Sequence, residues 1–227
     1  MNRPNKRNLS QIDALTRIYR LYDDYINSFS HACRKYCADC CTTNVTLTTL
    51  EARYIHAFLE EKQRAALSEA MHSRIHAPRF QPAMSTNCHA RLCAEGKAPP
   101  EEYVPADPGT CPLLEAEACT IYPVRPFACR CMLSTAVCRH TGEAWIDEFT
   151  MSVNNLFLQF IEHLDPNGSF GNFIDIWRCL DAEGADCPTV PNQSVTVLMI
   201  PPEHREKIHP LLNTLNHILS RVEYPPG

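Results

Sequence analysis

The sequence predicts a mainly α protein: helices joined by irregular, cysteine-rich metal-binding loops with little β, in a single compact domain with a C-terminal helical extension. Three observations predict it. Apolar residues recur at helical spacing in several separate stretches. The chain has only 7 glycines against 18 prolines, and the prolines fall mainly in the connectors. Its cysteines, 13 in all, crowd mainly into two knots. A length of 227 residues suits one core domain with helical additions.

Ser10, with Asp13 three residues on, forms a capping-box pattern that opens the first helix. Ile12, Leu15, Tyr19, Tyr22, Ile26 and Phe29 mark its buried face across 11–30. Tyr19, Tyr22 and Tyr25 on this helix read as packing residues. Thr48 and Glu51 give a second helix start, followed by Ile55, Phe58 and Leu59. Residues 64–76 supply another helical turn or two. The Pro-rich stretch 77–110, which carries Cys88 and Cys93, reads as a long loop. Val153, Leu156, Phe157, Phe160, Ile161 and Leu164 form a strong helical stripe, and Ile208, Leu211, Leu212, Leu215, Ile218, Leu219 and Val222 form another. Between them SVTVLMI at 194–200, bounded by Pro191 and Pro201, is the best strand candidate. The expected organisation is an N-terminal amphipathic helix (1–30), a cysteine-cluster metal-binding domain (31–140) and a helical part packed on it (141–227).

The first knot is Cys33, Cys37, Cys40 and Cys41, four thiols within nine residues. Their spacing continues the stripe of the first helix, so a helix running on would point all four one way. It would also spread them over about 12 Å at 1.5 Å per residue. One zinc, with Zn–S bonds of about 2.3 Å, cannot gather that spread. Cys33 and Cys37 are helical neighbours able to share a site, and the chain must turn near Asp39 to bring in Cys40 or Cys41. Those two adjacent residues fit better if they serve two sites, or a cluster of several metal atoms.

The second knot is Cys111, Cys119, Cys129 and Cys131, within CPLLEAEACTIYPVRPFACRC. Prolines 112, 123 and 126 fix the backbone and stop helix formation there. A rigid loop suits a ligand segment because its ordering cost is already met. Arg125 and Arg130 are candidate charge partners for thiolates, through guanidinium donors that reach sulfur.

Other chemistry has little support. The N-terminus MNRPNKRNLS lacks the apolar core of a signal peptide, and no apolar run reaches membrane-spanning length. The chain therefore reads as cytoplasmic, where thiols stay reduced and clustered cysteines mean metal or redox chemistry. The odd cysteine count also argues against a disulfide framework. A net charge of −5 gives no nucleic-acid footprint. There is no phosphate loop, no G-x-G-x-x-G and no carboxylate pairing suited to hydrolysis, so no catalytic residue is assigned. Cys88 with His89 and Cys138 with His140 read as incidental rather than as metal-site extensions. His72 and His76 read as a solvated face, Cys179 as core and Cys187 as a free thiol.

Cys33-x3-Cys37-x2-Cys40-Cys41, then VTLTTLEA, CPLL and CTIYPVRPFACR, together resemble the YkgJ-type cysteine-cluster family, a zinc- or iron-chelating domain. The resemblance covers roughly residues 30–135. It implies metal ligands drawn from Cys33, Cys37, Cys40, Cys41, Cys111, Cys119 and Cys129. Seven ligands exceed one four-ligand site and fall one short of two, and Cys131 is then the candidate eighth. The crowded Cys40-Cys41 pattern favours an iron–sulfur cluster over zinc, although an all-sulfur donor set suits both. A more distant similarity to flagellin lysine-N-methylase implies an alternative, iron–sulfur-dependent group transfer. A third reading is a structural zinc module whose C-terminal helices bind a protein partner.

Overall fold

The computed structural model describes residues 9–34, 36–182 and 186–224. Nearly half of the protein is helical, and its sheets are small. The chain runs through α1 (Gln11–Ile26), β1 (Thr46–Thr48), α2 (Thr49–Phe58), α3 (Glu61–His72), α4 (Thr86–Ala94) and the hairpin β2 (Leu114–Glu115) and β3 (Ala118–Cys119). The short helices α5 (Phe127–Arg130) and α6 (Cys138–Thr141) follow, then α7 (Glu148–His163), β4 (Ser169–Asn172), α8 (Phe173–Asp181), β5 (Val190–Pro191) and α9 (Arg205–Leu219). Strands β1, β4 and β5 form one antiparallel sheet in that order, with Leu47 opposite Gly171 and Phe170 opposite Val190.

Both predicted capping boxes form. Ser10 accepts from the backbone N–H of Asp13, whose side chain reaches back, and Thr48 and Glu51 repeat the arrangement at α2. The apolar stripes then build two cores. One gathers Leu15, Ile18 and Tyr22 of α1, Leu156, Phe157 and Ile161 of α7, and Ile208 and Leu215 of α9. The other gathers Ile55 of α2, Leu67 of α3 and Ile174, Ile176 and Trp177 of α8. Phe29, just past the end of α1, still packs at the edge of the first core. A backbone tie between Leu9 and residues 221–223 joins the two ends of the described chain.

Five expectations change. The second-knot prolines do not exclude helix: Pro126 instead sits at the N-cap of the short helix α5, where its missing N–H costs nothing. The first helix stops at Ile26 instead of continuing into the first knot. Its cap is Asn27, and Tyr36 adopts a left-handed backbone (φ 71°), so the cysteines lie on an irregular loop. The predicted strand at 194–200 is absent, and β5 lies just before it. Side chains of α7 take the place of a strand partner there. Gln159 accepts from Met199 N–H (2.9 Å) and donates to the Val197 carbonyl (2.7 Å), and His163 accepts from Val195 N–H (3.2 Å). The proline-rich 77–110 stretch contains α4, started by Ser85 accepting from Cys88 N–H. Finally, Cys179 and Cys187 are joined by a disulfide with Cα atoms 6.2 Å apart, so neither is a core thiol or a free one. Arg178 donates to the Asp186 carbonyl and brings the returning chain back onto the end of α8.

Candidate metal centre

The second knot is pinned to both cores. From its hairpin and the turn that follows, Leu113, Ile121 and Val124 enter the α2–α3–α8 core. Three residues after Val124, Phe127 enters the α1–α7–α9 core, its ring 4.6 Å from Tyr22 and 5.7 Å from Phe157. Burying the two ends of a proline-stiffened turn in different cores leaves the intervening backbone little freedom.

Two buried ionic side chains lock it further. Glu51 is 3% exposed, and one of its oxygens accepts from Phe127 N–H (2.8 Å) and the Tyr19 hydroxyl (2.7 Å). Its other oxygen caps Thr48 N–H (2.8 Å). The same carboxyl thus starts α2 and fixes the start of α5, linking two segments far apart in sequence. Burial raises its pKa above the usual carboxylate range. Arg130 is 6% exposed and donates to the carbonyls of Pro123 (2.7 Å) and Arg125 (3.1 Å). Its fork also pairs with Asp23 of α1 at 3.1 Å and stacks over Tyr19 at 4.3 Å. Arg130 is therefore spent on holding the loop.

Arg125 is placed differently. It stacks on Tyr122 with its guanidinium carbon 3.9 Å from the ring centre, and its buried Nε has no hydrogen-bond partner among the described residues. Its charge favours the thiolate forms of Cys40, Cys119, Cys129 and Cys131. Of the two arginines expected to offset thiolates, Arg125 is the one positioned to do so.

The first knot meets this platform through backbone bonds. Cys111 N–H donates to the Cys41 carbonyl (3.0 Å), beside an antiparallel bridge between Thr42 and Thr110. Farther back, Ala32 N–H donates to the Ser134 carbonyl (2.7 Å), and Ser134 N–H reaches the Cys33 sulfur (3.3 Å). The loop from 27 to 41 is thereby hung between the second knot and the segment after α5.

These ties enclose an open cavity of about 640 Å³. Cys33, Cys37, Cys40, Cys41, Cys111, Cys119 and Cys129 all line it, together with His31, Arg125 and Tyr122. Cys131 does not line it. It is buried in the α1–α7–α9 core, its S–H directed at the Ala128 carbonyl (3.5 Å), and burial pushes its thiol up to about 12. Cys138, on α6, also lies outside the cavity wall but contributes to the field at Cys33. Cys88 and Cys93 sit on α4, away from the cavity, and His72 and His76 are exposed, with His76 past the end of α3.

The thiols form two electrostatic neighbourhoods. Cys41 feels Cys111, Cys129 and Cys119, whereas Cys33 feels Cys37, Cys40 and Cys138. Between them Cys40 donates a hydrogen bond to Cys41, which raises the Cys40 pKa and lowers that of Cys41. Burial raises Cys33, Cys111, Cys119 and Cys129. Without a cation, burial therefore favours the protonated forms of these four thiols. Among the described residues, no three His, Cys, Asp or Glu side chains already stand close enough to hold one ion. The donor set nonetheless suits a thiophilic metal, because seven sulfurs and one orphaned histidine nitrogen face the same space, with the Arg125 Nε–H beside them as a hydrogen-bond donor.

A family characterised by a CxxCxxCC motif, described as "Putative zinc- or iron-chelating domain", matches residues 32–151, just over half of the sequence. The chain belongs to this family. Every cysteine in the cavity wall, and Cys131 and Cys138 as well, lies within the matched span. This chelating-domain chain places three residues, not two, between the first two cysteines of the motif, and the third of these is Tyr36 with its left-handed backbone. No curated protein and no solved structure gives a significant match. Among the described residues, no helix is long and apolar enough to cross a membrane.

Sequence reasoning took Glu51 for a helix cap alone and missed Asp23 and His31. Glu51 carries a local signal, the capping box. Its second role depends on a contact with Phe127, 76 positions away, that no spacing rule reveals.

Proposed function

We propose that this protein chelates a thiolate-bound metal centre in the cavity between its two cysteine knots, with Cys33, Cys37, Cys40, Cys41, Cys111, Cys119 and Cys129 as ligands. The observation that carries this reading is that one cavity wall collects all seven cysteines from segments about seventy positions apart. The centre is an iron–sulfur cluster in preference to zinc. A single four-coordinate ion with bonds of about 2.3 Å fills little of a cavity of about 640 Å³, and adjacent Cys40 and Cys41 serve a multinuclear centre better than one ion.

The chain's own groups prepare this site. Buried thiols give up their protons as metal binds, so affinity rises with pH and binding releases acid. Arg125 offsets the charge of a thiolate-rich centre and supplies a free N–H donor toward it. Such a centre suits redox or metal handling, with metal as the first partner and a protein as the second. Anaerobic purification followed by elemental analysis and absorbance tests the reading. Brown protein containing iron and sulfide, with sulfur-to-iron charge-transfer absorption, supports the cluster. Colourless protein with stoichiometric zinc replaces the cluster by zinc, and protein without bound metal after reconstitution with either refutes chelation.

A further inference from the structure

We propose that His31 is the eighth ligand of the centre, completing with Cys33, Cys37 and Cys40 a second four-ligand site beside one formed by Cys41, Cys111, Cys119 and Cys129. This rests on the reading that metal binds in the cavity, and it says how the donors divide.

The ligand count poses the question. Seven cavity cysteines leave one position open if two tetrahedral sites form. Cys131 does not fill it, because its side chain is committed to the core. His31 lines the same cavity as Cys33, Cys37 and Cys40, and its Nδ1 is buried without a hydrogen-bond partner among the described residues. An orphaned buried polar atom is costly, and coordination of its lone pair removes that cost. The ring is also oriented, edge-on to Phe29 at a centroid distance of 6.4 Å, and Phe29 packs on the α1–α7–α9 core. Imidazole is an ordinary companion to three thiolates on zinc and also ligates iron–sulfur clusters.

The backbone makes the same division. Cys41 is bonded to Cys111, and Leu114 N–H donates to the Cys111 carbonyl (3.1 Å) at the base of the hairpin that carries Cys119. Cys33 is tied instead to Ser134, on the far side of α5. Cys40 and Cys41 sit at the seam, and adjacent residues divide between two sites more easily than they chelate one ion. The structure does not hold the donors of either set at bonding separation, so metal loading must bring the donors of each set closer together.

Anaerobic titration with Co²⁺, with zinc content measured in parallel, tests the assignment. The wild-type chain is expected to take two equivalents per monomer, with d–d absorption of tetrahedral sites. In His31→Ala one equivalent should persist unchanged while the other weakens by at least about 100-fold, more than the loss of an outer-shell partner costs. His31→Cys should restore the second equivalent and strengthen its sulfur-to-metal charge-transfer band, a change that a merely structural residue would not produce. The assignment is overturned if His31→Ala keeps both equivalents with unchanged spectra. It is equally overturned if the second equivalent is lost in Cys138→Ser or Cys131→Ser but not in His31→Ala, or if His31→Cys folds without any spectral change. A wild-type chain that binds neither Co²⁺ nor zinc and takes up no iron and sulfide on reconstitution sinks the chelation reading itself, whereas one that binds a single equivalent untouched by His31→Ala sinks only this inference.

Discussion

Arg125 and Arg130 stand five residues apart in one loop, and the structure gives them opposite duties that mutagenesis can separate. Replacing Arg130 by Met removes donation to two carbonyls, at 2.7 and 3.1 Å, from a side chain 6% exposed. Hydrogen bonds from charged groups contribute about 1.5–3 kcal/mol each. The pair with Asp23 adds little, because the Asp23 side chain is 41% exposed and solvent screens it. The Met side chain refills part of the space, so the net loss is about 3–5 kcal/mol, in the range for breaking a buried charge network. With a urea dependence of about 3 kcal/mol/M for a chain of this size, the unfolding midpoint of metal-free protein should fall by about 1–1.7 M. Arg130→Lys should recover only part of this, because an ammonium cannot reproduce the planar fork.

Arg125→Met removes an orphaned Nε and a stacking contact on Tyr122, itself 42% exposed. Such a contact contributes about 0.5–1 kcal/mol, so metal-free stability should barely change while metal affinity falls. Unfolding must be followed without metal, since bound ligand stabilises the folded state by mass action and would merge the two effects. Equal stability losses in the two variants, or an Arg130→Met midpoint within 0.3 M or so of wild type, would refute this division of labour.

Three further outcomes are expected. Cys131→Ser should leave metal stoichiometry unchanged but lower stability by about 1–3 kcal/mol, as a hydroxyl enters an apolar core; loss of metal in urea-unaffected protein would contradict its placement. Replacing Cys179 and Cys187 by Ala should cost about 2–3 kcal/mol from an eight-residue loop closure, read by thermal unfolding, with metal content untouched. Burial raises the pKa of Glu162, whose oxygens accept from Asn87 and Gln193 N–H. A raised carboxyl binds more protons folded than unfolded, so its contribution is complete below the ordinary carboxylate value and is lost as pH rises through the folded one. Glu162→Gln should therefore flatten the stability–pH profile of metal-free protein in that window, and an unchanged slope would show that Glu162 does not titrate there.

Much of the fold was legible because its signals are local. The capping boxes at Ser10 and Thr48, and the stripes that became α1, α7 and α9, each depend on residues within a few turns of one another. The strand expected at 194–200 failed because alternation records only that a segment is half-buried. It does not record whether its backbone donors meet a strand or, as here, Gln159 and His163 of α7. Helix α4 hid among prolines, since its cap, Ser85, has no glutamate three residues on. At the site, cysteine spacing set Cys40 and Cys41 apart in role, and the hydrogen bond between them shifts their thiols in opposite directions. Spacing carried no information on Cys131, which shares its knot with Cys129 yet points into a core assembled from the two ends of the chain.

The two knots differ in how much of their order the fold has already provided, and that difference sets where metal binding does its work. Val124 and Phe127 anchor the second knot in separate cores, and Glu51 and Arg130 satisfy its backbone from within the protein. Among the described residues, the first knot has neither helix nor strand, and it hangs from bonds at Cys33 and Cys41. Fixing one backbone residue costs about 1–2 kcal/mol, so ordering even part of the 31–41 loop consumes a substantial share of the binding free energy. On the proposed chelation, the ordering cost therefore falls more on the first knot than on the second. A protein built only to be held together by metal gains nothing from that asymmetry. On the proposed chelation, a centre that accepts and releases its metal would be served by one fixed side, the one that Glu51 and Arg130 clamp, and one less firmly held.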